Sequence, residues 1–193
     1  AAGNGHVAAL EALARRGVSV CERDARGRTP AYGAALNGHT AVLEALARMG
    51  APLGERDGDG CTPAHAAAGN GHVAALNLLA RMGVSLSEGN TDGFTPAHLA
   101  AGRRHPAAIE ALLRAGASLG EREAMGGTPA HSAAASGDAA TLEILARAGV
   151  PLGEGKDDGH TPGHLAAING HVDALEALAR AGAPLGECTE HMY

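Results

Sequence analysis

The chain has 193 residues, 45% of them hydrophobic, a formal net charge of −6 and aromatics at only 2%. Three aromatic side chains, Tyr32, Phe94 and Tyr193, cannot fill an ordinary globular core, so the interior must be thin, made of Ala, Leu and Val in stacked layers. The acidic balance, with 15 Lys and Arg spread along the chain, argues against a nucleic-acid role, and no apolar run approaches the ~18 residues of a membrane-spanning helix.

The opening stretch, AAGNGHVAALEALARRG (1–17), lacks the layout of a signal peptide. It reads as the tail of one short helix, a Gly-His turn at 5–6, and a longer helix closed by Gly17. The pattern then becomes complete. Thr29-Pro30 opens a short helix, because the Thr hydroxyl caps free N–H groups and Pro tolerates the first helical position. Gly38-His39 turns the chain, LEALARMG (43–50) carries a second helix, and Gly50 ends it. Thr-Pro pairs recur at 62, 95, 128 and 161, each step being 33 residues, and the Leu-centred segments recur in register. Ala-rich first helices such as AHAAA (64–68) allow close helix approach. Five of the six second helices carry Glu four residues before Arg (Glu11/Arg15, Glu44/Arg48, Glu110/Arg114, Glu143/Arg147, Glu176/Arg180), the favourable order for an intrahelical pair. The three cysteines, 21, 61 and 188, suit neither a disulfide framework nor a zinc site and read as ordinary free thiols, Cys61 at an exposed tip.

The stretch DGDGCTPAHAAAGNGHVAALNLLARMGVSL (57–86) resembles the ankyrin repeat, with its D-x-x-G-x-T-P-L-H pattern. The resemblance covers essentially the whole chain as a single domain, 1–193. It gives a partial repeat at 1–23, full repeats at 24–56, 57–89, 90–122, 123–155 and 156–188, and a stub at 189–193. It implies an all-α repeat solenoid with short β-hairpin loops. It also implies a role for His65, His98, His131 and His164 in bonding the neighbouring turn, and for His6, His39, His72 and His171 in the inter-helix turn. Several positions depart from the family. Ala or Gly follows Thr-Pro in place of Leu, and Tyr32 stands for a His. The loop Asn is replaced by Cys21, Gly54, Ser87, Gly120, Gly153 and Gly186, which implies looser hairpins and no asparaginyl hydroxylation. Arg104 replaces a turn Gly, so a different local backbone is expected, and Asp138 replaces a turn His.

No catalytic motif appears, and eleven His spread along a ladder do not converge on a metal, so neither enzyme activity nor a cofactor or metal is expected. The Glu row at 22, 55, 88, 121, 154 and 187 reads either as a landing strip for a basic partner or, preferably, as paired with the Arg directly following at 23, 56 and 122. By the resemblance, partners meet the concave face of hairpin tips and first-helix ends. That selects Arg26, Arg28, Leu36, Asp59, Asp92, Phe94, Arg103, Met125, Asp158 and His160 as partner-binding residues for an unidentified protein or peptide. Charge runs along this face from Arg26 and Arg28 to Asp157 and Asp158. The chain's single Phe94 sits at a tip, either as the centre of a contact flanked by Leu36, Arg103 and Met125 or packed on a neighbouring hairpin. The ends lack the polar outer face of capping repeats, so a fragment of a longer protein and end-to-end self-association are both expected. The alternative is an engineered or consensus-like scaffold without a natural partner. An intracellular, cytoplasmic setting without membrane insertion is expected.

Overall fold

A computed structural model describes residues 1–185, so the expectations for Gly186, Glu187, Cys188, the stub at 189–193 and Tyr193 lie outside the described residues. Among the described residues the chain forms a single 3-10 turn, Ala2–Asn4, and eleven α-helices. The first helix of each repeat is α2 (Pro30–Leu36), α4 (Pro63–Gly69), α6 (Pro96–Gly102), α8 (Pro129–Ser136) or α10 (Pro162–Ile168). The second helices are α1 (Val7–Arg15), α3 (Thr40–Arg48), α5 (Val73–Arg81), α7 (Pro106–Arg114), α9 (Ala139–Arg147) and α11 (Val172–Arg180). First helices pack on first helices and second on second, which gives two layers of parallel rows.

Small and large residues divide the core between the layers. Ala35, Ala68, Ala101 and Ala134 are fully buried in the first-helix row, where the lack of bulk lets the backbones approach. Leu46, Leu79, Leu112, Leu145 and Leu178 are fully buried from the second row, each contributing about 1.5–3 kcal/mol of burial. The helix ends behave as the capping signals predict. In four repeats Thr and a His three residues on form a reciprocal cap; in the repeat at 24–56, Tyr32 lacks the acceptor and only the Thr29 hydroxyl bond to Tyr32 N–H remains. The glycines that close the second helices, such as Gly50 at φ 75°, are left-handed, and Ala51 N–H reaches back to Leu46 O at 3.0 Å.

Three expectations change. No strand forms among the described residues: each tip is a tight turn closed by its own backbone, for example Asp57 N–H to Cys61 O at 2.9 Å. The backbone at Arg104 does not differ from its glycine counterparts, for Arg104 takes φ 59°, the one non-glycine residue with positive φ among the described residues. The Glu/Arg pairs of the second helices run mainly between repeats. Arg48 reaches Glu11 at 3.4 Å, Arg147 reaches Glu110 at 3.8 Å and Arg180 reaches Glu143 at 2.8 Å, while Glu110–Arg114 at 3.8 Å is the intrahelical pair that forms. Stacked helices lie side by side, so the Arg of the next layer competes with the one a turn ahead.

Candidate partner-binding surface

Each tip is built around one side chain that bridges its turn. Asp57 Oδ1 accepts from Asp59 N–H (3.0 Å) and Cys61 N–H (2.8 Å). Asn90 Oδ1 does the same for Asp92 and Phe94, and Glu123 uses both carboxylate oxygens on Met125 and Gly127. Asp24 brackets Arg26 and Arg28, and its carboxyl also takes the Arg28 guanidinium, which holds its pKa down to about 2. In the repeat at 156–188 the place belongs to Lys156, which cannot accept, and Asp158 takes the His160 N–H instead. The sequence reading did not single out these bridging residues; the recurrence of Asp at 24 and 57 at the repeat spacing was the available signal.

Successive tips are then joined by one backbone bond each. Gly58 N–H donates to Arg26 O (2.9 Å), Thr91 to Asp59 O (3.1 Å), Ala124 to Asp92 O (2.8 Å) and Asp157 to Met125 O (3.1 Å). Arg26, Asp59, Asp92, Met125 and Asp158 therefore occupy one repeat position, and all five are exposed, Met125 at 61%. The carbonyls of Arg26, Asp59, Asp92 and Met125 are fixed by the next repeat, while all five residues are exposed.

Arg28, Phe94 and His160 share a second position, just before Thr, and are half-buried. Each lies against the ring four residues on. Arg28 sits 5.9 Å from the Tyr32 centroid, Phe94 meets His98 edge-on at 5.6 Å, and His160 meets His164 edge-on at 6.0 Å. Phe94 is thus packed in part on its own first helix. His160 also pairs with Asp158 at 3.1 Å, so two of the expected binding residues contact each other. Arg103 is exposed and donates to Gly69 O at 3.1 Å. Leu36 lies two repeats from Phe94, half-buried against the core, and its carbonyl receives the His72 ring at 3.0 Å.

The recurring histidines serve the stack. Thr62 N–H donates to His65 Nδ1 (3.0 Å), which leaves Nε2–H to donate to Phe94 O (2.8 Å) in the next tip. His98 reaches Gly127 O and His131 reaches His160 O in the same way. Burial pushes all three below the usual imidazole pKa, which keeps them neutral and preserves Nδ1 as an acceptor. No cluster of three metal-ligating side chains occurs among the described residues.

Three members of the Glu row, Glu55, Glu88 and Glu154, are paired, but with the Arg of the preceding repeat rather than an Arg that follows in sequence. Arg23 pairs with Glu55, Arg56 with Glu88 at 2.8 Å and Arg122 with Glu154 at 3.1 Å. The same guanidiniums bond loop carbonyls, Arg56 taking Gly60 O and Gly89 O. Ser87 Oγ accepts from Ser118 N–H at 2.9 Å, so the residues standing in for the loop Asn still cross-link one junction. Cys61 is half-buried rather than exposed; burial pushes its thiol up, although the Asn90 amide donates to Sγ at 3.6 Å.

Models of ankyrin repeats match nearly all of the chain, one of three copies over residues 34–123 and 105–187 and one of many copies over residues 1–47. The chain belongs to the ankyrin repeat family. No individual curated protein matches it. The two-layer stack, the Thr/His caps and the joined tips are accordingly the working parts of an ankyrin array. Among the described residues no helix is long and apolar enough to cross a membrane.

Proposed function

We propose that residues 1–193 act as a single ankyrin domain that holds a protein or peptide partner along the edge made by the tips and the first-helix ends. The observation that carries this reading is the row Arg26, Asp59, Asp92, Met125 and Asp158, one exposed side chain per repeat on a backbone joined by hydrogen bonds. Such a row loses little conformational freedom on binding, because the backbone is already ordered. The row is basic at Arg26 and acidic at Asp59, Asp92 and Asp158, with Met125 as the apolar contact, which suits an extended segment that is acidic at the end facing Arg26 and basic along the rest. Phe94 and Arg103 flank the row as secondary contacts. Free thiols at Cys21 and Cys61 fit a reducing compartment. His65, His98 and His131 commit both ring nitrogens to the stack, which supports binding over catalysis.

Affinity capture with the intact chain and with the exposed variant Arg26→Glu/Met125→Ser tests the assignment. A protein retained by the intact chain and lost by the variant is the expected result. Equal retention by both moves the site off the tip row. The engineered-scaffold reading has less support, because a consensus array would place Gly and His at the turn positions held by Arg104 and Asp138.

A further inference from the structure

The tips stack in contact with one another. A Cβ on Gly27 would lie 3.0 Å from Gly58 N, one on Gly60 would lie 2.8 Å from Thr91 N, and one on Gly93 would lie 3.0 Å from the Glu123 Cα. The same single backbone bond joins each tip to the next. The tips therefore advance with the helices beneath them, about 8–10 Å per repeat. Within each tip the row residue is followed by Gly27, Gly60, Gly93 or Gly126 and preceded by a residue no larger than Thr91. The row is thus a ridge one large side chain wide.

Four side chains on this ridge are uncommitted. Arg26, Asp59, Asp92 and Met125 bond through their N–H and C=O groups, and among the described residues their side chains take part in no hydrogen bond or ion pair. Asp158 differs. Its carboxylate already holds the His160 N–H at 3.0 Å and the His160 ring at 3.1 Å, with Lys156 at 3.7 Å. The free sequence along the ridge is therefore basic, acidic, acidic, apolar.

The spacing selects the conformation of what lies along it. A β-strand returns a side chain to the same face every two residues, about 6.6–6.8 Å, and falls out of step after one repeat. An α-helix returns one every seven residues, about 10.5 Å, and its body of about 10 Å is broad for so narrow a ridge. A polyproline II chain returns one every three residues, about 9.3 Å, inside the spacing of the tips. We propose, resting on the reading of the tip row as the partner-binding edge, that the partner is a polyproline II segment read at every third residue. An acidic side chain faces Arg26, basic side chains face Asp59 and Asp92, and an apolar one faces Met125.

Fluorescence anisotropy with the 193-residue chain and labelled ten-residue peptides tests this. The matched peptide carries Glu, Lys, Lys and Leu at its first, fourth, seventh and tenth places and Pro elsewhere; its reverse is also made, so that both chain directions are sampled. The control has the same composition with those four residues at every second place. One direction of the matched peptide should bind about fivefold or more tightly than the control. Asp59→Lys should weaken it about two- to fivefold with an unchanged circular dichroism spectrum, and replacing the facing Lys of the peptide by Glu should restore binding. Equal binding of matched and control peptides overturns the proposal, and so does no binding of either at about 1 mM peptide. If equal binding is lost in Arg26→Glu/Met125→Ser, the row stands as the binding edge and only the three-residue spacing falls. If that variant changes nothing, the row falls with it. Where no peptide binds, affinity capture with the same variant decides the row by itself.

Discussion

Arg104 and Asp138 depart from the repeat together, and the geometry says why. At the equivalent junctions a Cβ on Gly38, Gly71 or Gly137 would lie 2.7–2.8 Å from the Nδ1 of the following His. Arg104 has a Cβ at that place, and the following residue is Asp138 rather than a His. Asp138 turns inward, where it accepts from Thr141 N–H at 3.1 Å and from the buried Thr141 hydroxyl at 2.6 Å, capping α9. Asp138→His in the native background should lose the cap, about 0.5–2 kcal/mol, and force the ring against the Arg104 Cβ, about 1–3 kcal/mol more. Arg104→Gly alone relieves about 1–2 kcal/mol of left-handed strain and gives back about 0.5–1 kcal/mol of chain entropy, so it should be neutral to mildly stabilising. In the double variant the collision disappears. Urea denaturation of the four proteins should therefore give a coupling of about 1–3 kcal/mol between the two positions. Coupling within about 0.5 kcal/mol of zero would refute the reasoning, because it would mean that the turn tolerates a Cβ under an imidazole.

Three further outcomes follow from the same contacts. Protonation of His65, His98 and His131 is disfavoured by burial, their pKa values lying below 6.5, so the unfolded chain takes up protons first as pH falls. Their contribution is complete above about pH 6.5 and is lost as pH drops through the lower folded values; equal denaturation midpoints at pH 7 and pH 5 would contradict this. Gly71→Ala should cost about 2–4 kcal/mol, from left-handed strain at φ +69° plus contact with His105, whereas Gly17→Ala at φ +81° faces open space and should cost only the strain, about 1–2 kcal/mol. Leu46→Ala, at a fully buried site, should cost about 2–5 kcal/mol by the same measurement.

What was legible in the sequence was whatever recurs. Thr-Pro, the closing glycines and the Ala pairs each fix a local geometry, and repetition at 33 residues turns that geometry into a stack. Pair partners were less legible. Glu143 lies one turn from Arg147 along its own helix, yet it takes Arg180 from the next layer, and Glu55 takes Arg23 rather than the adjacent Arg56. A linear chain shows neighbours in sequence; in a solenoid the competing neighbour lies one repeat away. Arg104 misled for a different reason. A long side chain in place of Gly suggests a changed turn, but the bonds of Arg104 N–H to Ala101 O (3.2 Å) and of His105 N–H to Ala100 O (2.9 Å) hold the turn as elsewhere, and the residue accepts the strain.

The tip row shows how such an array separates stability from recognition. At Arg26, Asp59, Asp92 and Met125 the carbonyl is what the next repeat uses, and every residue type supplies one. At these four residues the side chain is under no demand from the stack, so it can be basic, acidic or apolar without changing the backbone that presents it. The position just before Thr is different. At Phe94 and His160 the carbonyl receives a buried His, and the side chain lies on the ring of its own first helix, as Phe94 does on His98. Phe94→Ala should therefore lower stability as well as partner affinity, by about 1–2 kcal/mol in denaturation, for the lost edge-on contact and partial burial. Met125→Ala should leave the denaturation midpoint within about 0.5 kcal/mol of the parent and act on binding alone. Measuring both variants in both assays separates the two kinds of position. A loss of stability on Met125→Ala, or none on Phe94→Ala, would show that the division between carbonyl and side chain has been drawn in the wrong place.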